Sequence, residues 1–373
     1  HTRYWRDWSS DVCSSDLPSL PTNVADKSWR NLYNEVLRQP RLSFALSVFT
    51  ATGIQMLVCT FSVVCIFVIN TKFGLDPGSK LLANNQGAFF SFSVFFLVCS
   101  GLVSSYIGII FHKILSNNPV NQQYSVKKQV LLSVAFSGTL PSIVLSVMLF
   151  LNFFVWAKKS SNALPFGTIV VLLLFLFAIE IPLGIIGGYF GNKKKFDTNS
   201  FFITSRGEKA SNVTPQRSRR LYWITDPFVS SMVFGLIPFG VVYVELKFIF
   251  NSVWLEKTTF YHMYGFLLIA SIILIILIAE STIIAIYISL AVYNNPYWHW
   301  LGFNVGSSIG WYIFAYSVYY FFVVLNVREF VSVLFYFAYM GLVSVLIGAG
   351  GGAVGVISGL IFIRNIYGNV KLD

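Results

Sequence analysis

The chain has 373 residues, 55% of them hydrophobic, and only 11% charged against about 25% in an ordinary soluble domain. Its formal net charge is +11. So few charges exclude a soluble globular protein and leave a single bilayer-embedded helical bundle, because lipid offers loose backbone no hydrogen bonds.

Residues 1–17, HTRYWRDWSSDVCSSDL, are polar, lack an apolar period and contain no signal-peptide core. They resemble a translated sequencing-library adapter and are set aside, so the chain is expected to be a fragment whose true N-terminus is missing. A lead-in over 18–43 precedes the first apolar stretch. From there, eight stretches have the roughly 20 apolar residues that a helix needs to cross hydrocarbon: Phe44–Ile69, Gly87–Phe111, Gln129–Trp156, Pro165–Phe190, Phe228–Val253, Phe260–Val292, Leu301–Leu325 and Phe330–Ile363. The fold class is therefore all-α, a polytopic transmembrane helix bundle over 44–363. The longest stretches exceed a simple span and are expected to tilt, to kink at glycine or to begin along the interface. Kinks are also predicted at Pro141, Pro165, Pro182 and Pro238. A polar connection over 191–227 and a tail over 364–373 complete the chain.

Basic residues fall unevenly on alternate loops, 17 on one side against six on the other once Lys247, Arg3 and Arg6 are set apart. Lys and Arg are retained on the cytosolic side of short loops, so both termini of the fragment and the 191–227 loop are predicted to be cytosolic. That assignment uses up the basic excess, and no nucleic-acid partner is expected. The loop holds eight of those basic residues, suited to anionic lipid heads as well as to orientation. Its sequon, Asn212-Val213-Thr214, should stay unmodified on the cytosolic side.

Few residues in the spans carry chemistry. Charges at membrane depth cost about 2.5–3.5 kcal/mol on insertion scales, and four fall there: Glu180, Glu245, Lys247 and Glu280. They are the candidate intramembrane polar site, for contact with a client protein's polar span or for proton relay; Glu245 and Lys247 are two apart and point to different sides, whereas Lys247 can pair with Glu180 or Glu280. Gly351, Gly355 and Gly359 recur once per helical turn and form a helix-packing strip, for contact within the bundle in preference to contact between copies, a choice the sequence leaves open. Cys59, Cys65 and Cys99 lie in apolar surroundings and are read as packing groups. Gly350–Gly355 matches a dinucleotide fingerprint with no strand before it, and Gly306-Ser307-Ser308-Ile309-Gly310 matches a serine elbow with no base or acid. The scattered His112, His262 and His299 have no zinc spacing. No enzyme activity, metal or cofactor is expected.

Several motifs occur in an order that resembles one family. They are the lead-in WRNLYNEVLRQPR, Pro165-Phe166-Gly167-Thr168, Gly187-Gly188-Tyr189-Phe190-Gly191, Pro238-Phe239-Gly240 through Glu245 to Asn251-Ser252-Val253-Trp254, Tyr264-Gly265-Phe266-Leu267, Ala279-Glu280, Tyr297-Trp298-His299-Trp300, Tyr316-Ser317 through Tyr319-Tyr320-Phe321, and Tyr336-Phe337-Ala338-Tyr339-Met340. With Arg364-Asn365-Ile366-Tyr367 and the terminal Lys371-Leu372-Asp373, this order resembles the transmembrane 9 superfamily, the nonaspanins or endomembrane protein 70 family, over nearly all of 29–373. Glu180, Lys247 and the Leu301-Gly302 pair depart from the family pattern. The resemblance implies nine spans behind a lumenal domain, of which eight are in this chain. It implies residence in Golgi or endosomal membranes, help with the sorting and membrane localisation of client membrane proteins, and a Golgi-retention address at Lys371 and Asp373 read by coat-protein machinery. A transporter or channel for an ion or small solute is the competing expectation. It is prompted by proline-interrupted spans and intramembrane charge, although no internal repeat is visible.

Overall fold

The computed structural model describes residues 36, 39–40, 42–72, 86–116, 122–157, 165–195, 226–254, 264–291, 295–325 and 329–367. Residues 1–17, nearly all of the lead-in, most of the 191–227 loop with its sequon, His262, and the tail residues Lys371 and Asp373 lie outside them.

Every described element is helical. The order is α1 (Ser43–Lys72), α2 (Gln86–Leu115), α3 (Val126–Ala157), α4 (Phe166–Phe175), a π turn (Leu176–Glu180), α5 (Ile181–Lys193), α6 (Pro227–Trp254), α7 (Tyr264–Ala291), α8 (Trp298–Tyr320), a second π turn (Phe321–Leu325) and α9 (Phe330–Tyr367). α4, the first π turn and α5 run on as one helix, Phe166–Lys193, so the described residues contain eight helices long and apolar enough to cross a membrane. Pro141 and Pro238 are accommodated inside α3 and α6, and Pro182 opens α5 just after the π turn. Proline removes a donor to the carbonyl four residues back, and a widened turn is one way to absorb the mismatch. The second π turn has no proline beside it and gave no sequence signal.

In a bilayer, apolar surface does not drive helices together; close packing of small residues and interhelical hydrogen bonds do. The residues follow that rule. Phe95, Phe153, Phe177, Trp311, Phe322 and Val345 are exposed on the outside of the bundle, while Ser47, Thr50, Ser104, Ser105, Ser133 and Ser137 are buried. From α2, the Ser104 hydroxyl lies 2.8 Å from the Ala51 carbonyl of α1 and 2.8 Å from the Phe136 carbonyl of α3, and Ser105 donates to Ser133 O at 2.9 Å. Gly184, Gly187, Gly188 and Gly191 lay α5 onto α2 and α3; a Cβ at Gly187 would run into the Leu102 backbone. α1 to α5 thus form one packed group.

α6 to α9 form the second, and its tightest seam joins α8 to α9. A Cβ at Gly351 would strike the Gly306 carbonyl, and one at Gly355 the Gly302 carbonyl. At Gly359 it would meet the Ile286 side chain at 2.6 Å and the Trp298 ring at 3.3 Å. The Gly351, Gly355 and Gly359 strip therefore lies inside the chain, and its opposite number is a strip on α8, Gly302, Gly306 and Gly310. α1 and the residue Val36 before it tie the groups together: Gly53 abuts the Ala349 carbonyl of α9, and Trp298 Nε1 donates to Val36 O at 3.0 Å.

Candidate functional site: two buried carboxyls and two exposed charges

The four intramembrane charges do not converge. Glu180 ends the π turn of the span Phe166–Lys193 and is 1% exposed. It faces α1, where Gln55 Nε2 donates to Glu180 Oε1 at 2.8 Å, and α2, where Gly101 leaves room for its side chain. A Cβ on Gly101 would come within 3.3 Å of Glu180 Cγ. Gln55 is buried as well, and its Oε1 has no partner. Beside Glu180 lies a cavity of about 270 Å³ walled by α1, α2, α3 and α4, with Cys59, Ser93, Leu97, Pro141, Val144 and Leu172 among its lining. A side-chain amide clamped to a carboxylate in otherwise apolar walls fixes the carboxylate's position and satisfies one of its oxygens.

Glu245 lies in the other group of helices, on α6, 3% exposed, with neither carboxyl oxygen hydrogen-bonded. It borders a second cavity, of about 210 Å³, among α1, α6, α7, α8 and α9, where its neighbours include Met56, Leu274, Ile278 and Gly351. A buried carboxyl with no donor on either oxygen is costly, and a donor from outside the chain would relieve that cost.

Lys247 and Glu280 are exposed on the outside of α6 and α7. Among the described residues Lys247 pairs with neither Glu180 nor Glu280. Lys247 lies seven residues before the end of α6 and Glu280 sixteen after the start of α7. In an antiparallel pair of consecutive spans that offset is about 14 Å of helix rise. Two separate charges thus stand on the apolar exterior.

A polar cluster missed from the sequence sits where α2 meets the connection to α3. Asn192 accepts from Tyr124 N at 3.0 Å and donates to Tyr124 O at 3.1 Å, and Lys113 Nζ donates to Asn192 O. The Tyr124 hydroxyl lies 2.9 Å from His112 Nδ1, and Lys128 stands 4.4 Å from the centre of its ring. The cluster locks a loop to a helix end. His299 is buried and stacks on Trp298 at 4.0 Å between ring centres. Ser307 and Ser308 donate to carbonyls of their own helix, Asn304 O and Val305 O. Among the described residues no three His, Cys, Asp or Glu side chains gather to hold a metal.

Comparison with known proteins places this architecture. The Endomembrane protein 70 family model matches residues 5–330. The chain is 31% identical to transmembrane 9 superfamily member 10 of Arabidopsis thaliana over 359 residues, covering 96% of this chain and 52% of that protein. It is 32% identical to transmembrane 9 superfamily member 2 of Homo sapiens over 345 residues, covering 92% and 48%, and 28% identical to human member 4 over 355 residues, covering 95% and 51%. The chain thus spans about half the length of these relatives. No solved structure matches it.

Proposed function

Because the chain belongs to the endomembrane protein 70 family, the transmembrane 9 superfamily, we propose that it acts in Golgi and endosomal membranes, assisting the sorting and membrane localisation of other membrane proteins. The observation that carries the contact half of this proposal is the exposure of Lys247 and Glu280 on α6 and α7. A charge on the lipid-facing surface of a span costs about 2.5–3.5 kcal/mol, which a polar or oppositely charged group on a client's span offsets. Glu245 is covered by its own chain and meets a client only if α6 moves; Glu280 needs no such motion. The compartment is inferred from family likeness, and the orientation from the excess of basic residues on one set of loops. With cytosolic termini, Lys371 and Asp373 sit where coat proteins can read them.

The test is localisation and delivery together. A protein tagged between residues 196 and 225 is expected in the Golgi or endosomes, and Lys371→Ala with Asp373→Ala should release it to the cell surface. Glu280→Gln and Lys247→Met should leave location unchanged and reduce surface delivery of client proteins, scored by surface biotinylation. Normal delivery by both charge variants would remove the client-contact role.

A second reading, transport of an ion or small solute, draws support from the π turn within the span Phe166–Lys193, a turn that ends at the buried Glu180. Single π turns inside α-helices frequently mark functional sites. Flux into proteoliposomes that disappears with Glu180→Gln would favour it over sorting.

A further inference from the structure

The Glu180 cavity has the makings of a ligand site that neither client contact nor the comparisons require. Its polar lining is Glu180, Ser93 and Cys59, and Glu180 is the one charged group among them. Glu180 receives one donor, from Gln55, although a carboxylate has about four lone-pair positions. An occupant must therefore donate hydrogen bonds and preferably carry positive charge.

The walls decide which cation. A hard metal ion needs about six to eight oxygen ligands, or waters to make up the number. Here Ser93 is the one other oxygen-bearing side chain of the lining, and the rest, Cys59, Pro141 and apolar residues such as Leu97 and Leu172, leaves far too few oxygens for one. An ammonium needs only two or three acceptors, and a hydrocarbon chain attached to it suits those walls. At about 270 Å³ the cavity is smaller than a typical drug-sized site, so it takes the head and the first part of a chain rather than a bulky ring system.

We propose that this pocket binds a long-chain primary amine, with its ammonium on the Glu180 carboxylate and its proximal methylenes against α2, α3 and α4. Gln55 is a positioning residue: it lies behind the lining, and its amide holds the carboxylate in place. Cys59 lines the same cavity and reports occupancy.

The full chain in lipid nanodiscs is titrated with dodecylammonium, with dodecanol and dodecanoate as equal-length controls. Native mass spectrometry reads binding, and peptide-resolved N-ethylmaleimide labelling reads protection of Cys59. Saturable binding of one dodecylammonium that protects Cys59, is at least tenfold weaker in Glu180→Gln and is not matched by either control is the expected result. Should Glu180→Gln fail to fold, Val144→Phe, which fills the cavity and keeps the carboxyl, must abolish both binding and protection. Undiminished binding in the folded Glu180→Gln variant, or in Val144→Phe, overturns the proposal. So does Cys59 labelling indifferent to the amine, or equal uptake of dodecanol.

Discussion

Replacing Gly306 with alanine should separate α8 from α9. A Cβ there would collide with the Gly351 carbonyl, come within 2.7 Å of its carbon and stand 3.1 Å from Gly352 Cα. These are backbone atoms in a helix, so no rotamer change relieves the overlap and the helices must part by about 1 Å. A gap of that size forfeits roughly a quarter to a half of the dispersion energy of each affected atom pair. About forty pairs along the seam, each worth about 0.15 kcal/mol, then lose about 2 kcal/mol in all. Alanine recovers about 0.5–1 kcal/mol over glycine in a helix, so the net loss is about 1–1.5 kcal/mol. Gly341→Ala on α9 is the matched control, because its nearest neighbour is the Phe314 ring at 3.9 Å, and it should be neutral or slightly stabilising. Denaturant titration of both variants in mixed micelles, followed by tryptophan fluorescence, measures the difference. Equal midpoints for Gly306→Ala and Gly341→Ala would refute the proposed seam.

Three other substitutions bear on polar contacts. Asn192→Ala removes both hydrogen bonds to the Tyr124 backbone and should cost about 2–3 kcal/mol in the same titration; Ser146→Ala, which loses only an exposed bond to Ser142 O, should stay within about 0.5 kcal/mol of the parent. Gln55→Ala leaves Glu180 without its donor and should destabilise by about 2–3 kcal/mol, with Glu180→Gln in the same chain losing less than the sum of the single changes. Additive losses would mean that the pair is not coupled. Trp298→Phe forfeits the bond to Val36 O and part of a fully buried ring, so proteolysis of the lead-in should become several-fold faster.

The spans were legible because length and hydropathy alone determine whether a helix can cross hydrocarbon, and one observed helix falls on each of the eight apolar stretches, residues 260–263 and 292 of the sixth lying outside the described residues. Which face of each helix turns inward was not, since lipid and neighbouring helices are both apolar and no stripe distinguishes them. Glu245 and Lys247 show the consequence: two residues apart, one is covered on all sides and the other stands outside. The glycine strip of α9 was visible as a four-residue period. Its partner on α8 was hidden inside a stretch whose Gly306 and Gly310 suggested a serine elbow, although the same two residues serve only to let backbones touch. The Asn192 cluster left no pattern, because its members come from three separate segments.

The most direct test of client contact is photocrosslinking from Ile284, exposed one turn beyond Glu280 on the same side of α7. The comparison is made in Golgi membranes with and without Glu280→Gln. The expected result is adducts with spans of other membrane proteins, reduced several-fold by the substitution. Adducts confined to lipid or to the same chain, or adducts that ignore the loss of the charge, would contradict it.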